Sequence, residues 1–350
     1  MGIHRRRWVL PALVGALVAS ACTATEPVGE PAVTTAATTS ATPSARTPAT
    51  APRVPSPEPL PHPVSIQALI QQEYIGGGLQ LGAVLEQNDR YTRYVVTYLS
   101  NGLTISGIMN VPVGDGPFPV LVLNHGYIDP DVYTNGRGLR REQDYLARRG
   151  FAVLHTDYRG HAQSDDDPDA EIELRLGYTE DVINAVLAIK SSELPYLDDE
   201  RIGLLGRSMG GGITYNALVA RPGLVDAAVV YAPVSSNTAD NFNRWTREDS
   251  ALATQIIAAY GSPEESPDFW QQVSPVTYFD RITEPILIHH GTADESCPIA
   301  WSVTTASALK ALGKDAELVT YEGEPHAFEA AWADSMATTV AFFERHLSAS

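Results

Sequence analysis

The sequence predicts an α/β protein with a doubly wound, mostly parallel sheet. Three observations predict this: short continuous apolar runs such as FPVLVLN and RIGLLG, segments with helical apolar spacing, and the strict alternation of the two. Continuous apolar runs are typical of strands that are buried on both faces, as in parallel sheets. Alternating strands and helices place helices on both sides of such a sheet.

The predicted elements follow one another from residue 91. Two β-rich runs, YTRYVVTYLS and LTISGIMNVP, flank Asn101-Gly102, a dipeptide that favours a hairpin turn. The later strand patterns are FPVLVLN, FAVLHT, RIGLLG, DAAVVYAP, EPILIHHG and AELVTYEG. The helix patterns are LRREQDYLARRG, TEDVINAVLAIKSS, MGGGITYNALVA, AWSVTTASALKALG and MATTVAFFERHL. Thr179 is the expected N-cap of the second of these helices.

One stretch breaks the alternation. Between Pro233 and Glu284, roughly 50 residues have no strand pattern but include Trp245, Trp270 and the helical pattern DSALATQIIAAYG. Insertions of that length usually serve a function. We therefore predict a small helical cap over about residues 234–283, with packing of a sheet edge as the alternative.

Residues 1–22 have the layout of an export signal. A basic stretch with Arg5–Arg7 precedes a short apolar run and the small residues before Cys22. The ASA triplet fits a cleavage site and, followed by Cys22, resembles a bacterial lipobox, from which Ala19 departs because Leu is usual there. We expect a lipoprotein-type signal peptide with lipidation at Cys22, or plain secretion as the alternative. Either makes the protein extracytoplasmic, in the cell envelope or secreted.

The remainder divides into a linker and one catalytic domain. Residues 23–64 contain ten Pro and nine Thr with few large apolar side chains, which predicts a disordered linker. Residues 65–350 suffice for one large core. The net charge of −18 argues against nucleic acid and anionic membrane surfaces as partners, so the lipid anchor is the only membrane contact we expect.

Cysteine and motif content predict neither disulfides nor cofactors. Cys22 and Cys297 are the only cysteines, so no disulfide framework is expected, and Cys297 fits a small buried filler. CxxC, HExxH and phosphate-binding loop motifs are missing from the sequence, so we expect no metal and no cofactor. The acidic run SDDDPD fits a solvated turn, and one of His289 and His290 fits a satisfied strand-end histidine rather than a metal ligand.

Three strand ends carry a set of residues with a recognised chemistry. Ser208 in GRSMG follows RIGLLG, Asp294 follows EPILIHHGTA, and His326 follows AELVTYEGEP. Ligands bind at the carboxyl ends of the strands in such sheets. The order Ser, Asp, His is that of the α/β-hydrolase fold, which becomes the predicted fold class, with the cap as its insertion.

Each of the three residue types has its own role. A serine hydroxyl is nearly inert at neutral pH, so His326 must take its proton as Ser208 attacks. Asp294 would fix the imidazole tautomer and stabilise the imidazolium, with the adjacent Glu295 as the rival acid. Gly206 and Gly210 are expected to be required by the tight turn at the serine, because side chains there would collide across it.

An oxyanion hole needs two donors. The first predicted donor is the backbone N–H of Met209, at the start of the helix after the serine. The second is Tyr127 in NHGY, through its amide or its hydroxyl, with a mere pocket wall as the alternative. Gly211 and Gly212 are expected to allow close packing of that helix.

These motifs resemble the catalytic domain of the prolyl oligopeptidase family of serine peptidases. GRSMGGG, SPVTYFDRITEPILIHHGTADESCP and YEGEPHAF occur in the family's order, and the likeness runs from about Asn110 to the C-terminus. The resemblance implies Ser208 as nucleophile, Asp294 as acid and His326 as base. Family members with strict peptidase action usually carry an N-terminal β-propeller, whereas only about 45 folded residues precede NVPVGDGPFPVLVLNHG.

Three functions follow as expectations. The first is a serine-type peptidase acting through an acyl-enzyme on Ser208. The second is a carboxylesterase, since the same triad cleaves acyl esters and related stand-alone domains do so. The third is a non-catalytic envelope protein that keeps a hydrolase fold. The expected partner is accordingly a peptide or a small acyl ester.

Overall fold

The computed structural model describes residues 61–348. Its strands are β1 (Gly76–Gln87), β2 (Tyr91–Ser100), β3 (Leu103–Pro112), β4 (Phe118–Asn124), β5 (Ala152–Thr156), β6 (Leu197–Arg207), β7 (Ala227–Tyr231), β8 (Ile286–Gly291) and β9 (Ala316–Tyr321). Its α-helices are α1 (Ile66–Gln71), α2 (Arg140–Ala147), α3 (Leu176–Lys190), α4 (Met209–Ala220), α5 (Thr238–Asn241), α6 (Ser250–Tyr260), α7 (Pro267–Gln272), α8 (Ile299–Ala311) and α9 (Trp332–His346). The predicted signal peptide, Cys22 and the linker up to residue 60 lie outside the described residues.

The strands form one mixed sheet in the order β1-β2-β3-β5-β4-β6-β7-β8-β9. In this order, neighbouring strands from β1 to β5 pair antiparallel. From β5 through β4 to β9, neighbouring strands pair parallel. The order reverses between β5 and β4, so the chain winds outward in both directions from the centre. The parallel half carries β6, β8 and β9, whose carboxyl ends therefore meet at one edge of the sheet.

The hairpin between β2 and β3 has the predicted turn. Asn101 and Gly102 have φ of 47° and 95°, the left-handed values that a two-residue hairpin turn of this kind needs. Strand β1 was not predicted: it contains three consecutive glycines, Gly76–Gly78, and its residues are mostly exposed or half-buried. Such a strand lacks the apolar alternation from which strands are predicted.

One predicted helix start is wrong. Helix α3 begins at Leu176, after Arg175 in a left-handed conformation with φ of 59°, and has no side-chain cap. Thr179, the expected N-cap, is buried within the helix and its hydroxyl accepts a hydrogen bond from Asn216 at 3.3 Å. Burial of the first turn explains the difference, because packing there replaces the capping hydroxyl.

Helices cover both faces of the sheet. On one face α2 and α9 pack through residues such as Leu146 and Phe343, and on the other α3 and α4 pack through residues such as Val186 and Leu218. All four of these side chains are fully buried. This layering confirms the predicted doubly wound α/β fold with a mostly parallel sheet.

The segment between β7 and β8 is the predicted helical insertion. It consists of α5, a π-helical turn (Phe242–Thr246), α6, α7 and a 3-10 segment (Pro275–Arg281). Asp249 caps α6 by accepting hydrogen bonds from two backbone amides of its first turn. We call the residues from 234 to 283 the cap.

Candidate active site

Ser208 lies at a sharp turn between β6 and α4. Its backbone has φ of 57° and ψ of −122°, a conformation that non-glycine residues rarely adopt. The turn is held in place because the Ser208 amide donates a hydrogen bond to the carbonyl oxygen of Tyr231, on β7, at 3.0 Å. Strained backbone of this kind persists only where its surroundings over-determine it.

Two glycines make this turn possible. A Cβ atom on Gly206 would collide with the carbonyl oxygen of Gly210, and a Cβ atom on Gly210 would collide with the carbonyl oxygen of Asn124. The backbone of α4 therefore passes too close to β4 and β6 for any side chain at these two positions. The predicted requirement for glycine at both is confirmed.

The next two glycines have a different role. A Cβ atom on Gly211 would lie 2.6 Å from Cβ of Pro233, and one on Gly212 would lie 2.6 Å from Cγ2 of Val234. Both contacts bring α4 against the residues that follow β7. Close helix packing, as predicted, explains these glycines.

His326 and Asp294 are joined by a hydrogen bond. Nδ1 of His326 lies 2.8 Å from Oδ2 of Asp294, although the two residues come from different loops, after β9 and β8. The imidazole is partly exposed, at 18%, whereas the carboxylate is fully buried. Nδ1 must donate this bond, since an ionised carboxylate only accepts, and Nε2 is left with a lone pair.

The carboxylate of Asp294 is held ionised. Burial alone would raise its pKa, but hydrogen bonds from His290, His326 and the Cys297 amide outweigh burial and hold the pKa well below its usual range. The neighbouring acid, Glu295, contacts His326 differently: its carboxylate accepts from the His326 backbone amide at 3.3 Å. Of these two acids, Asp294 is the one that is hydrogen-bonded to the imidazole ring of His326.

Ser208 and His326 line the same cavity. Within residues 61–348 no hydrogen bond joins their side chains, although such bonds commonly tighten only when substrate binds. The Ser208 hydroxyl instead lies next to the thiol of Cys297, which is fully buried. Burial and the nearby Asp294 carboxylate raise the pKa of that thiol to about 12, which the serine opposes only in part.

The two predicted oxyanion donors lie at the wall of this cavity. Met209 is the first residue of α4, where backbone N–H groups have no partner within the helix, and Tyr127 follows β4. In the part of the chain that is described, neither amide donates a hydrogen bond. The Tyr127 side chain is 55% exposed, and the guanidinium of Arg175 lies 4.7 Å from the centre of its ring.

The cavity has a volume of about 830 Å³ and is roofed by the cap. Phe242, Trp245, Leu252 and Ile256 give it an apolar wall from the cap side. Arg175 and Glu171 also line it and form an ion pair with each other at 2.6 Å. The space beside Ser208 therefore combines a mostly apolar wall with one fixed ion pair.

Two residues at this site were not predicted from the sequence. His290, one of the strand-end pair His289-His290, places Nε2 3.1 Å from Oδ2 of Asp294. Arg141, on α2, donates a hydrogen bond to the carbonyl oxygen of Ala327, next to His326, at 2.7 Å. The spacing of His290 four residues before Asp294 is a usable local signal, whereas nothing near Arg141 in the sequence points to residue 327.

Within residues 61–348, no helix has the length and apolarity needed to cross a membrane. Nor does that range contain a group of three or more His, Cys, Asp or Glu side chains arranged to hold a metal ion. In the acidic run, Asp167 pairs with Arg159 at 3.1 Å and Asp165 accepts from the Thr104 amide at 2.7 Å.

Comparison with known proteins agrees with the geometry. The uncharacterized peptidase YuxL of Bacillus subtilis (strain 168) is 28% identical over 65% of this chain, which spans about a third of its length (34%). An acylaminoacyl peptidase from Pyrococcus horikoshii superposes with a TM-score of 0.58 at 23% identity, covering 74% of this chain and 42% of that one. Acetyl xylan esterase 1 from Thermoanaerobacterium sp. JW/SL YS485 superposes with a TM-score of 0.63 at 17% identity, covering 83% of this chain and 95% of that one.

Family membership rests on the sequence itself. The model of the prolyl oligopeptidase family matches residues 137–350, more than half of the chain. The match includes Ser208, Asp294, His326 and the cap. The α/β-hydrolase fold of the structural relatives is the fold described above. The chain therefore belongs to the prolyl oligopeptidase family and is a serine hydrolase.

Proposed function

We propose that the protein is a serine-type peptidase that works through an acyl-enzyme on Ser208. The observation that carries the proposal is the 2.8 Å hydrogen bond between His326 and the buried carboxylate of Asp294, because His326 lines the same cavity as Ser208. The peptidase activity itself is supported by the family and by the relative YuxL. Its substrate would be a short peptide or an aminoacyl amide.

The reaction would begin with attack by Ser208 on the substrate carbonyl. His326, with Nδ1 bonded to Asp294, accepts the serine proton on the lone pair of Nε2. The new C–O bond turns the carbonyl into an oxyanion, which the amides of Met209 and Tyr127 stabilise. Asp294 stays ionised and stabilises the imidazolium, so it changes no covalent bond.

Breakdown of the intermediate completes the first half. The C–N bond breaks and His326 returns the proton to the leaving amine, which departs and leaves Ser208 acylated. A water molecule then gives its proton to His326 and attacks the acyl carbon. The acid product leaves, and the proton returns to the Ser208 hydroxyl.

Hydrolysis of acyl esters is the second candidate. It is supported by the extent of the structural likeness, since the superposition covers 95% of the acetyl xylan esterase but 42% of the acylaminoacyl peptidase. The same sequence of steps applies, with an alcohol in place of the amine as leaving group. The two candidates differ in leaving group and not in catalytic residues.

Two experiments test the proposal in turn. A fluorophosphonate probe should label the wild-type protein and the Ser348→Ala control but not Ser208→Ala; equal labelling of Ser208→Ala would contradict the role of Ser208. Turnover of short acyl p-nitrophenyl esters is then compared with turnover of aminoacyl and prolyl p-nitroanilides. Cleavage of the anilides, lowered at least about 10³-fold in Ser208→Ala, supports the peptidase. Activity on esters alone leaves only the esterase.

We also propose that Cys22 carries a lipid that holds the protein at a membrane outside the cytoplasm. The support is the arrangement of the basic, apolar and small residues that precede it. In cells fed an alkyne fatty acid, the wild-type protein and Cys297→Ser should be labelled and sediment with membranes, and Cys22→Ser should not. A wild-type protein that is unlabelled and found in the soluble fraction would contradict the anchor.

A further inference from the structure

His290 brings a second imidazole to the carboxylate that His326 contacts. It lies in β8, one residue before the strand ends, and is fully buried. Its Nε2 lies 3.1 Å from Oδ2 of Asp294 and 2.9 Å from the carbonyl oxygen of Cys297. Its Nδ1 lies 2.6 Å from Oγ of Ser302, on α8.

These partners determine the tautomer of His290. A carbonyl oxygen and an ionised carboxylate can only accept, so Nε2 must carry the proton and share it between Asp294 and Cys297. Nδ1 then keeps a lone pair, to which the Ser302 hydroxyl donates. All the polar atoms of the ring are satisfied in this one state, as a buried group requires.

With His290, every acceptor position of the Asp294 carboxylate is used. Oδ1 accepts from the backbone amides of Ser296 at 2.9 Å and Cys297 at 2.8 Å. Oδ2 accepts from His326 at 2.8 Å, and Nε2 of His290, which also lowers the pKa of this carboxylate as a donor, lies 3.1 Å from it. An ionised carboxylate offers about four such positions, so this group cannot rotate without breaking several bonds at once.

We propose that His290 is a positioning residue for catalysis: its Nε2–H fixes the orientation of Asp294 and takes up part of the charge on Oδ2. The proposal rests on the proposed function, in which Asp294 orients His326. His290 is not among the residues that line the cavity beside Ser208, so it would act through the carboxylate. The same Nε2–H also donates to the carbonyl oxygen of Cys297, so His290 contacts both ends of the loop from residue 294 to 297.

The charge on Oδ2 links His290 to the pH dependence of the reaction. Several groups that titrate or carry charge surround the contact between His290 and Asp294: Glu295 and Cys297 on the same loop as Asp294, His326, and Arg244 of the cap. Arg244 donates hydrogen bonds to the carbonyl oxygens of residues 295 and 296. Without the His290 donor, Oδ2 would carry more negative charge toward His326 and would favour its protonated form. The acidic limb of the kcat/KM profile would then move to higher pH.

The chain offers a matched control in the adjacent residue. His289 is also fully buried in β8, but its ring bonds to Thr339 at 3.0 Å and to Tyr321 at 2.8 Å, on the other face of the sheet. Replacing either histidine removes a buried imidazole from the same strand. Of these two histidines, His290 is the one that lies next to Asp294.

The experiment compares His290→Leu, His290→Gln, His289→Leu and Asp294→Asn in the full chain, on the best substrate of the wild-type protein. His290→Leu should lower kcat about 10- to 100-fold with little change in KM, and its acidic limb should lie at higher pH, because a hydrogen bond to a buried charge is lost. His290→Gln keeps an N–H donor, so its kcat and the acidic limb of its kcat/KM profile should both lie close to those of the wild-type protein. His289→Leu should leave the limb in place.

The outcomes separate the inference from the proposed function. If Asp294→Asn lowers kcat strongly but folded His290→Leu matches the wild type in rate and limb, the inference is overturned and the function stands. If Asp294→Asn is fully active, the function itself fails. A measurement on the wild-type protein covers the case in which His290→Leu does not fold: ¹⁵N spectra of its histidines should show His290 protonated on Nε2 only, and protonation on Nδ1 only would overturn the proposal.

Discussion

Arg141 and Ala327 are joined by a hydrogen bond of 2.7 Å between Nη2 of the guanidinium and the carbonyl oxygen. The same guanidinium reaches the carbonyl oxygen of Phe328 at 3.3 Å and lies 4.8 Å from the centre of the Trp332 ring. Ala327 directly follows His326. Helix α2 therefore holds the loop that carries the proposed base from a position 186 residues earlier in the chain.

Arg141→Met should lower kcat several-fold while leaving the thermal midpoint nearly unchanged. The side chain is 47% exposed, so its loss costs little burial, but the loop at His326 loses the donor that fixes two of its carbonyl oxygens. Arg140→Met is the control. Arg140 is the neighbouring arginine, and its ion-pair partner is the surface residue Glu86, at 3.7 Å, and not the loop at His326. Steady-state kinetics and calorimetry of both variants measure the effect; equal kcat in the two would show that the contact does not position His326.

The turn at Ser208 could be predicted because its signals are local. An apolar strand, a serine between glycines and a helix start follow one another within about 20 residues, and the structure has them in that order. The loops with Asp294 and His326 are likewise found from the strands before them. Parallel strands bring their carboxyl ends together, so the order of elements was enough to group these residues.

Other contacts could not be predicted, for physical reasons. Arg141 meets its loop only because α2 and α9 pack on the same face of the sheet, and no local pattern specifies that packing. The sequence predicts one satisfied histidine in the pair His289-His290. Both rings are hydrogen-bonded, but that prediction does not include Asp294 as a neighbour of His290. The start of α3 was misplaced because burial, and not a capping side chain, determines where it begins.

Gly210→Ala should destabilise the fold and abolish activity. The added methyl group would collide with the carbonyl oxygen of Asn124, so α4 must shift away from β4 and take the Ser208 turn with it. We expect a loss of about 1–3 kcal/mol in the free energy of unfolding, typical of overpacked sites. Gly77→Ala is the control, since its Cβ would have an ordinary contact at 3.6 Å with Ser191. Urea unfolding of both gives the comparison, and equal stability would contradict the close approach.

Asp294→Asn should make the free energy of unfolding less dependent on pH in the acidic range. The pKa of Asp294 is lowered in the folded protein, because the hydrogen bonds it accepts outweigh its burial. The ionised form therefore stabilises the fold at pH values above the usual carboxyl pKa of about 3.9, and this stabilisation is lost as the pH falls through the lower folded value. The gap in unfolding free energy between wild type and variant should be largest near pH 7 and should narrow toward pH 3. A gap that widens on acidification would show the opposite sign.

Tyr127→Phe distinguishes the two ways in which Tyr127 could bind an oxyanion. The side chain is 55% exposed and lies against Arg175, whereas the amide has no partner among the residues described. We therefore expect the amide to be the donor and Tyr127→Phe to keep kcat within about two-fold. Loss of one oxyanion donor costs about 10²–10³ in kcat, so a fall of that size would assign the role to the hydroxyl.

The thiol of Cys297 should be unreactive in the folded protein. It is fully buried, and burial together with the Asp294 carboxylate raises its pKa to about 12, so the thiol stays protonated at pH 8. The thiolate is the reactive form, and hence a disulfide reagent such as DTNB should not react with the native Cys22→Ser variant within minutes at pH 8. The same variant in guanidinium chloride should react at once, with one equivalent of thiol. Rapid reaction of the native protein would mean that the thiol beside Ser208 is accessible and ionised, and would contradict the prediction.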